Sequence, residues 1–484
     1  MANAYDIVRY PSRPFAQTHP ATLGAFAALF GKPYGPVAHS RVLEIGCGEG
    51  VNLLNIALHA PEAEFVGVDL AEAPIALARM AAEAIGLENA RFEVQDILTM
   101  DGSLGAFDYI IAHGVYAWVP AAVREALMRI VGELLSANGL AFISYNVLPG
   151  SSLRVALRDV LLDATQDIVN PAEKIGMARS VLETHIKAWS ESDPVENAMI
   201  VAARKMLRRS AEAFFHDELS PCFAPQRFID VVAAARAVGL DYLCDAHPQL
   251  SAEAFFPSEK YLAARERTGG DWVRFEQLSD IDAMRVFRSS IFCRGGPGDR
   301  RVDAARLHGL WASGEWPIVE SDPSATGEFA FRLGETNKLT TDNPKLAQYI
   351  RDIGAAYPLS VSLDAAAGDG ELGTLVFRLF VAKAVRVSAA PLSFTLTPGE
   401  RPLASPLARF QAERGDEFLA SLLHSAVQIE NAGVRRFVAL LDGTLSREDL
   451  ARKLIASEAA APETVVNEMS AMLTELAKLG LMVA

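Results

Sequence analysis

The chain has 484 residues, half of them hydrophobic, so it is long enough to form two or three domains with substantial cores. It carries 45 basic and 60 acidic residues, and the resulting net charge of -15 argues against a broad surface for nucleic acid or anionic membranes. The four cysteines have neither metal nor disulfide spacing, and the sequence shows neither a signal-peptide pattern nor a membrane-length apolar run, so we expect a cytoplasmic protein without a metal site or membrane insertion.

The first two predicted strands enclose a glycine-rich turn. Residues 41–45 form an apolar strand, residues 46–50 supply glycines at alternate positions, and residues 65–69 form a second strand that ends in Asp69. The glycines let a ligand approach the backbone closely, and an acid at the tip of the next strand can accept hydrogen bonds from both ribose hydroxyls. This pattern predicts half of a nucleotide-type cofactor site.

The acids around this turn favour S-adenosylmethionine over a dinucleotide. The dinucleotide fingerprint has glycine where this chain has Val51, whereas Glu44 precedes the turn and can hold the positively charged amino group of a methionine moiety. Residues 90–97 predict a third strand, at whose end Asp96 can accept from the adenine amino group while Ile97 packs on the ring. The glycine turn with acids at three successive strand ends resembles class I S-adenosylmethionine-dependent methyltransferases. The alternative, an ordinary βαβ crossover with incidental acids, is less favoured because open α/β sheets bind ligands at this edge.

The resemblance implies S-adenosylmethionine as the cofactor. Its predicted contacts are Glu44, Gly46, Cys47, Gly48, Gly50, Asp69, Leu70, Asp96 and Ile97, with His113 and His19 added from other segments. His19 lies in residues 17–20, just before a predicted helix, where the segment either folds over the cofactor or caps the helix with Pro20 at its first position.

Four later apolar runs complete the predicted sheet. They are residues 107–115, 140–147, 241–245 and 286–293. A helix over residues 121–135, stopped by Asn138 and Gly139, separates the first two of these runs. We therefore expect an α/β fold, a doubly wound, seven-stranded, Rossmann-like methyltransferase sheet.

The catalytic domain is expected to span residues 1–295, with two insertions. The first, about residues 151–222, has a helical pattern that includes residues 172–182 and 196–213, and predicts a cap or regulatory insertion. The second covers about residues 248–284.

A glycine- and proline-rich break after residue 294 predicts a domain boundary. Residues 296–400 are expected to form a middle accessory domain, with a hairpin at 328–341 and a helix at 344–356. In residues 401–484, a capping box at 446–449 and helices near 434–441 and 463–479 predict an α+β C-terminal part that ends in a winged-helix-like module. Because this module has nine basic against eleven acidic residues, we do not expect it to bind nucleic acid.

Three segments indicate a smaller group within the methyltransferases that this chain resembles. Residues 5–20, 113–120 and 144–150 are similar to bacterial methyltransferases that carry a methyltransferase regulatory domain, a group that includes the rickettsial protein-lysine methyltransferases. The similarity covers most of the chain. It implies a cofactor-binding domain, a regulatory segment, a C-terminal domain and methyl transfer.

The predicted catalytic residues follow strands four and five. They are Tyr116, His113, Trp118 and Asn146. Tyr116 and Trp118 would wall a slot for an alkylamine, because aromatic faces attract cations; the alternative is that both fill the core. His113 is either a general base or a structural donor to the cofactor loop.

Two pairs of polar residues keep two interpretations each. His216 and Glu218 reach the acceptor only if their segment is not helical, and otherwise belong to a solvated helix end. Asp230 and Arg288 are either an internal pair or surface residues.

We expect transfer of a methyl group from S-adenosylmethionine to a lysine side chain of a protein. The alternatives are methylation of a small molecule or glycan, and a cofactor-sensing regulatory protein without catalysis. The partner is therefore a methyl acceptor, and the sequence does not predict an oligomeric state.

Overall fold

The computed structural model describes residues 4–322, 327–334, 337–457 and 462–484. Its centre is a seven-stranded sheet. The strands are β1 Arg41–Ile45, β2 Glu64–Asp69, β3 Ala90–Val94, β4 Phe107–Ala112, β5 Leu135–Asn146, β6 Asp241–Asp245 and β7 Phe287–Cys293. Their order is β3-β2-β1-β4-β5-β7-β6, with only β7 antiparallel to its neighbours. The chain order reverses between β1 and β4, which is where open α/β sheets form a ligand crevice.

Helices cover both faces of the sheet, which explains why its central strands are largely apolar. They include α2 Pro20–Leu29, α3 Val51–Ala57, α4 Glu72–Ala84 and α5 Ala121–Leu134, whereas the short α1 Ala4–Ile7 buries no residue and contacts α4. Helices α2, α3 and α4 pack on one face and α5 on the other. The predicted fold class is confirmed.

The boundary between α5 and β5 differs from the prediction. Strand β5 begins at Leu135, directly after the helix, instead of at residue 140. Leu135 pairs with Phe107, and the register then shifts so that Tyr109 pairs with Leu140. Asn138 and Gly139 therefore lie in an irregular part of the strand and do not stop the helix.

The first insertion is a four-helix cap with its own apolar core. Its helices are α6 Ser152–Ala164, α7 Pro171–Ala188, α8 Pro194–Leu207 and α9 Ala211–Leu219. The single helix predicted over residues 196–213 is two helices, because Ser210 caps α9 by accepting a hydrogen bond from the backbone of Ala213.

The second insertion is also helical and is fixed to the sheet by a buried arginine. Following α10 Phe228–Ala237 and β6, it contains α11 Ala252–Phe255, α12 Glu259–Arg267 and α13 Trp272–Asp282. The guanidinium of Arg288 on β7 is fully buried and donates to carboxylates of Glu276 and Asp280 on α13 at 2.6 and 2.7 Å. Asp230 instead pairs with Arg227 at the surface, so Asp230 and Arg288 are not partners.

The middle part of the chain carries two small sheets. Its elements are β8 Trp311–Gly314, β9 Ile318–Ser321, β10 Phe329–Leu333, β11 Asn337–Thr341, α14 Pro344–Ala356, β12 Val361–Ser362, α15 Asp364–Ala367, α16 Gly370–Val381 and β13 Val385–Ser388. The predicted hairpin is the antiparallel pair of β10 and β11. Aromatic contacts such as Phe26 with Phe380, at 5.1 Å between ring centroids, join this region to the core around α2.

The C-terminal module has a separate apolar core. It comprises α17 Pro406–Glu413, β14 Phe418–Ala420, β15 Ala426–Gln428, α18 Ala432–Leu440, α19 Arg447–Ser457 and α20 Pro462–Lys478. The predicted capping box is present: Asp449 N donates to Ser446 Oγ at 3.1 Å, and Ser446 N to Asp449 Oδ2 at 3.3 Å. Within the described ranges, no helix combines the length and apolarity needed to cross a bilayer.

Candidate active site

A cavity of about 580 Å³ lies at the carboxyl ends of β1, β2 and β4. Ten of the sequence-predicted site residues line it: Glu44, Gly46, Cys47, Gly48, Asp69, Leu70, Asp96, Ile97, His113 and Trp118. Other lining residues come from the sheet edge and its helices, including Glu49 and Asn52, from an N-terminal segment, residues 5–15, which we call the arm, and from Asp217 on α9. The cavity thus lies between the sheet edge, the arm and the cap.

The glycine turn adopts a conformation that favours glycine at its tip. Gly46 and Gly48 have φ of 75° and 53°, and Gly48 N donates to Asp69 Oδ2 at 2.9 Å. Gly50 also has a positive φ of 68°, but it does not line the cavity, and a Cβ there would lie 2.5 Å from the Phe92 ring. Its small size allows α3 to pack on β3.

Asp69 and Asp96 present carboxylates at the ends of β2 and β3. Asp69 also accepts from Ala71 N at 2.9 Å, and burial raises its pKa above the ordinary value. Asp96 Oδ1 accepts from Leu98 N at 2.9 Å, which fixes the turn that carries Ile97 into the lining. This arrangement has the hydrogen-bond acceptors that ribose hydroxyls and an adenine amino group need.

Glu44 is a buried acid that lacks a full set of partners. Its Oε1 accepts from Asn52 Nδ2 at 2.8 Å, whereas Oε2 is buried without a hydrogen-bond partner among the described residues. Burial raises the pKa of Glu44 to about 8, and the charge of Asp69 adds to this shift, while the bond from Asn52 opposes it. A cation at Oε2 would satisfy the orphaned oxygen and stabilise the carboxylate, so the site fits the amino group of a methionine moiety.

His113 and Trp118 line the cavity but are held by protein groups. The His113 ring lies 4.1 Å from Phe15, its Nδ1 is 2.8 Å from Ser144 Oγ, and burial lowers its pKa to about 4. A ring with this pKa is neutral and a weak base near neutral pH. Trp118 packs on Phe223 at 4.6 Å, and the guanidinium of Arg154 lies 5.1 Å from its ring centroid.

Three other predicted residues lie outside the cavity lining. Tyr116 is buried against Tyr145, with 5.9 Å between ring centroids. Asn146 Nδ2 donates to Val286 O at 3.4 Å. His19 caps α2 by accepting from Ala21 N at 3.1 Å, which is the capping alternative.

The expectation that the N-terminal segment folds over the cofactor was placed on residues 17–20, whereas residues 5–15 line the cavity, and Asp217 was not predicted. Residues 214–218 are helical, so neighbouring side chains face different directions. Glu218 is fully buried against Arg154 at 2.9 Å, and His216 stacks on Tyr5 at 4.3 Å, which leaves Asp217 toward the cavity. The available signal was the aromatic spacing of Tyr5, Tyr10 and Phe15 before the first predicted helix.

Three family profiles match this chain in succession. Residues 36–193 match a methyltransferase domain, residues 210–294 a predicted methyltransferase regulatory domain, and residues 400–482 a PKMT C-terminal winged helix domain. The uncharacterized protein RP028 of Rickettsia prowazekii is 36% identical over 180 residues, which cover 37% of this chain and 72% of that protein.

The chain belongs to the S-adenosylmethionine-dependent methyltransferases with a methyltransferase regulatory domain. This membership confirms the predicted class of enzyme and the predicted cofactor at the level of the family. The match of the C-terminal profile confirms the winged-helix-like fold.

A second relative is similar in sequence over part of the chain, and a solved structure is similar in fold over nearly all of it. The uncharacterized protein RP789 of Rickettsia prowazekii is 35% identical over 292 residues, which cover 60% of this chain and about half, 52%, of that protein. The structure of PKMT2 from Rickettsia typhi in complex with AdoHcy covers 98% of this methyltransferase and 100% of that chain, with a TM-score of 0.84. At 23% identity, this likeness is one of fold.

Proposed function

We propose that this methyltransferase transfers the methyl group of S-adenosylmethionine to the side-chain amine of a lysine in a protein. The observation that carries the proposal is the shared cavity, in which the strand-end acids and the groups of the arm and cap line one continuous space. A cofactor and an acceptor must meet in such a space, because methyl transfer depends chiefly on alignment and exclusion of water.

The cofactor side of the cavity is assigned to the strand ends. Glu44 would hold the amino group, Asp69 the ribose hydroxyls, and Asp96 with Ile97 the adenine, while Gly46 and Gly48 allow close approach of the backbone. Bound S-adenosylmethionine supplies an electrophilic methyl group on a sulfonium, so the protein needs no acid to activate the leaving group.

The acceptor side is assigned to the arm and α9. Tyr5, Tyr10 and His216 form an aromatic cluster, with Tyr10 edge-on to Tyr5 at 6.2 Å and to His216 at 5.5 Å. Asp217 lies beside this cluster, with Oδ1 3.5 Å from the Tyr10 hydroxyl and Oδ2 paired with Arg209. Aromatic rings beside a carboxylate attract an alkylammonium. Once the ammonium has lost a proton, the same groups orient the nitrogen of the neutral amine.

The phenol of Tyr10 remains a neutral group in this setting. Burial raises the pKa of Tyr10 to about 12, and the charge of Asp217 contributes to the shift. The hydroxyl therefore keeps its proton near neutral pH, and its oxygen can accept a hydrogen bond from an amine.

A second depression beside the arm supports a protein acceptor. It has a volume of about 260 Å³, and its lining includes the acids Glu212, Asp416 and Glu417 as well as Arg9 and Arg13. Three acids against two arginines give this lining a small negative balance, which would favour a substrate with basic residues. The PKMT winged-helix profile and the PKMT2 fold agree with the resemblance to rickettsial protein-lysine methyltransferases.

The acceptor class can be tested by labelling. We expect that incubating the purified protein, a lysate of the source organism and methyl-tritiated S-adenosylmethionine places the label in methylated lysine after acid hydrolysis of the protein fraction. Label in small molecules or glycans would replace the lysine assignment. Cofactor binding without any transfer would instead favour the regulatory alternative.

A further inference from the structure

A chain of buried hydrogen bonds connects the winged-helix module to the predicted cofactor site. His424, in the turn between β14 and β15, has Nε2 2.9 Å from Asn52 Oδ1. Asn52, on α3, in turn donates from Nδ2 to Glu44 Oε1 at 2.8 Å. All three side chains are nearly inaccessible to solvent, with exposures of 6%, 3% and 4% in that order.

The donor and acceptor atoms of these hydrogen bonds can be assigned from the groups at the ends of the hydrogen-bonded network. Asn55 Nδ2 lies 2.9 Å from His424 Nδ1 and also donates to Ser421 O. Because an amide nitrogen only donates, Nδ1 accepts, and the ring proton is on Nε2, which donates to Asn52. Burial lowers the pKa of His424 well below its usual range, consistent with a neutral ring.

Two groups from the N-terminal region bond to the same oxygen of Asn52 as His424 does. Phe15 N donates to Asn52 Oδ1 at 3.0 Å, and Thr18 Oγ lies 3.1 Å from the same oxygen. The oxygen of Asn52 therefore faces the arm and His424, and its nitrogen faces Glu44. This orientation saturates Oε1 of Glu44 and leaves Oε2 for a ligand.

A second contact joins the same parts of the molecule. Glu49, in the glycine turn, is buried and accepts from Arg9 of the arm at 2.8 Å and from Arg414 of the winged-helix module at 3.0 Å. Asp416 pairs with both arginines. The glycine turn and α3 thus each touch both the arm and the C-terminal module.

We propose that Asn52 is a positioning residue for cofactor binding and that His424 sets its amide, so that the winged-helix module is a structural part of the cofactor site. The inference rests on the proposed placement of the cofactor amino group at Glu44. It gives the C-terminal module a role in cofactor binding that does not involve the methyl acceptor.

The test measures binding of AdoHcy (S-adenosylhomocysteine) by calorimetry and therefore needs no acceptor. His424→Leu removes the ring donor, and we expect the Kd for AdoHcy to rise about tenfold or more, as for loss of a hydrogen bond next to a charged group. His424→Gln retains an N–H donor at a similar distance and should recover most of the affinity. Phe437→Leu, in the separate core of the winged-helix module, is the matched control, which should lower Tm without changing the Kd.

A pH profile separates positioning from general destabilisation. Because the bond from Asn52 favours the ionised form of Glu44, His424→Leu should move the pH dependence of AdoHcy binding toward higher pH, and Phe437→Leu should not. The charge of Asp69 acts on Glu44, and that of Glu44 acts on Cys47. The titratable groups Glu49, Asp96, His113 and Asp217 also line the cavity, and the control alters none of these residues.

Either of two results would overturn the inference: unchanged affinity in a folded His424→Leu variant, or an equal loss in Phe437→Leu. If His424→Leu does not fold, Asn52→Leu tests the inference in the same assay. Wild-type affinity for AdoHcy in that variant would remove Asn52 from the site. Failure of the wild-type protein to bind AdoHcy would instead count against the proposed function.

Discussion

Glu44 combines two properties that rarely coexist in a structural carboxylate. It is buried beside a cavity, and one of its oxygens lacks a partner among the described residues. A buried acid in this state retains its proton at neutral pH unless a cation arrives. Binding of an ammonium group at Oε2 is therefore coupled to release of a proton.

This coupling predicts the pH dependence of cofactor binding. Since burial raises the pKa of Glu44 to about 8, the acid is mostly protonated at about pH 6.5, and AdoHcy affinity should rise with pH, by at most tenfold per unit, until about pH 8. Calorimetry at several pH values measures this rise. In Glu44→Gln the affinity should be low and nearly independent of pH, and a wild-type profile that is flat from about pH 6.5 to 8.5 would contradict the assignment.

A second residue-scale prediction concerns Asp217. Because we assign Asp217 to the acceptor side, Asp217→Asn should lower turnover about tenfold or more while leaving the Kd for AdoHcy nearly unchanged. Methyl transfer to the labelled lysate measures the first quantity and calorimetry the second. The control is Asp163→Asn, an exposed acid elsewhere on the cap. Full turnover in Asp217→Asn would exclude it from acceptor binding.

At the scale of elements, the arm is held by ionic contacts of Arg9 near its middle and by Asn52 at its C-terminal end. Arg9 joins Glu49 and Asp416, and Phe15 N donates to Asn52. The segment between these anchors lines the cavity. We therefore expect the arm to limit how fast a bound cofactor leaves.

The arm contact can be weakened with one substitution. Arg9→Ala leaves the buried carboxylate of Glu49 with Arg414 alone, so we expect faster AdoHcy dissociation and a several-fold higher Kd, measured by stopped-flow displacement and calorimetry. Arg204→Ala, which removes an exposed ion pair with Glu191 on the cap, serves as the comparison. Dissociation at the wild-type rate in Arg9→Ala would show that the arm does not retain the cofactor.

Elements with a strong local pattern were predicted from the sequence. Strand β6 and helix α14 have the predicted bounds. An apolar run marks the strand, and a proline at the first position of an amphipathic pattern marks the helix. The start of β5 and the break between α8 and α9 were not predicted, since pairing with Phe107 and a cap by Ser210 decide them. The strand-end residues of the cavity follow from topology, whereas Asn52, Glu49 and Asp217 depend on tertiary contacts that periodicity does not encode.

At the scale of the whole molecule, distant parts of the chain meet around the glycine turn. The middle region shares an apolar core with α2, and the winged-helix module keeps a separate core. The module reaches the turn through His424 and Arg414. Cofactor binding is therefore expected to stabilise segments that lie far apart in the sequence.

Hydrogen exchange measures this long-range effect. With AdoHcy bound, we expect slower exchange in residues 5–15 and in the β14–β15 turn, because both segments bond to groups of α3 and the glycine turn. The exposed cap helices α7 and α8 should exchange at unchanged rates. Protection confined to the strand ends would show that neither segment responds to the cofactor.

The most direct test of the account is a crystal structure of the protein with AdoHcy. The account predicts the amino group within hydrogen-bond distance of Glu44 Oε2, the ribose hydroxyls at Asp69, and the adenine beside Asp96 and Ile97. A nucleoside bound elsewhere, or an amino group that does not reach Glu44, would contradict it.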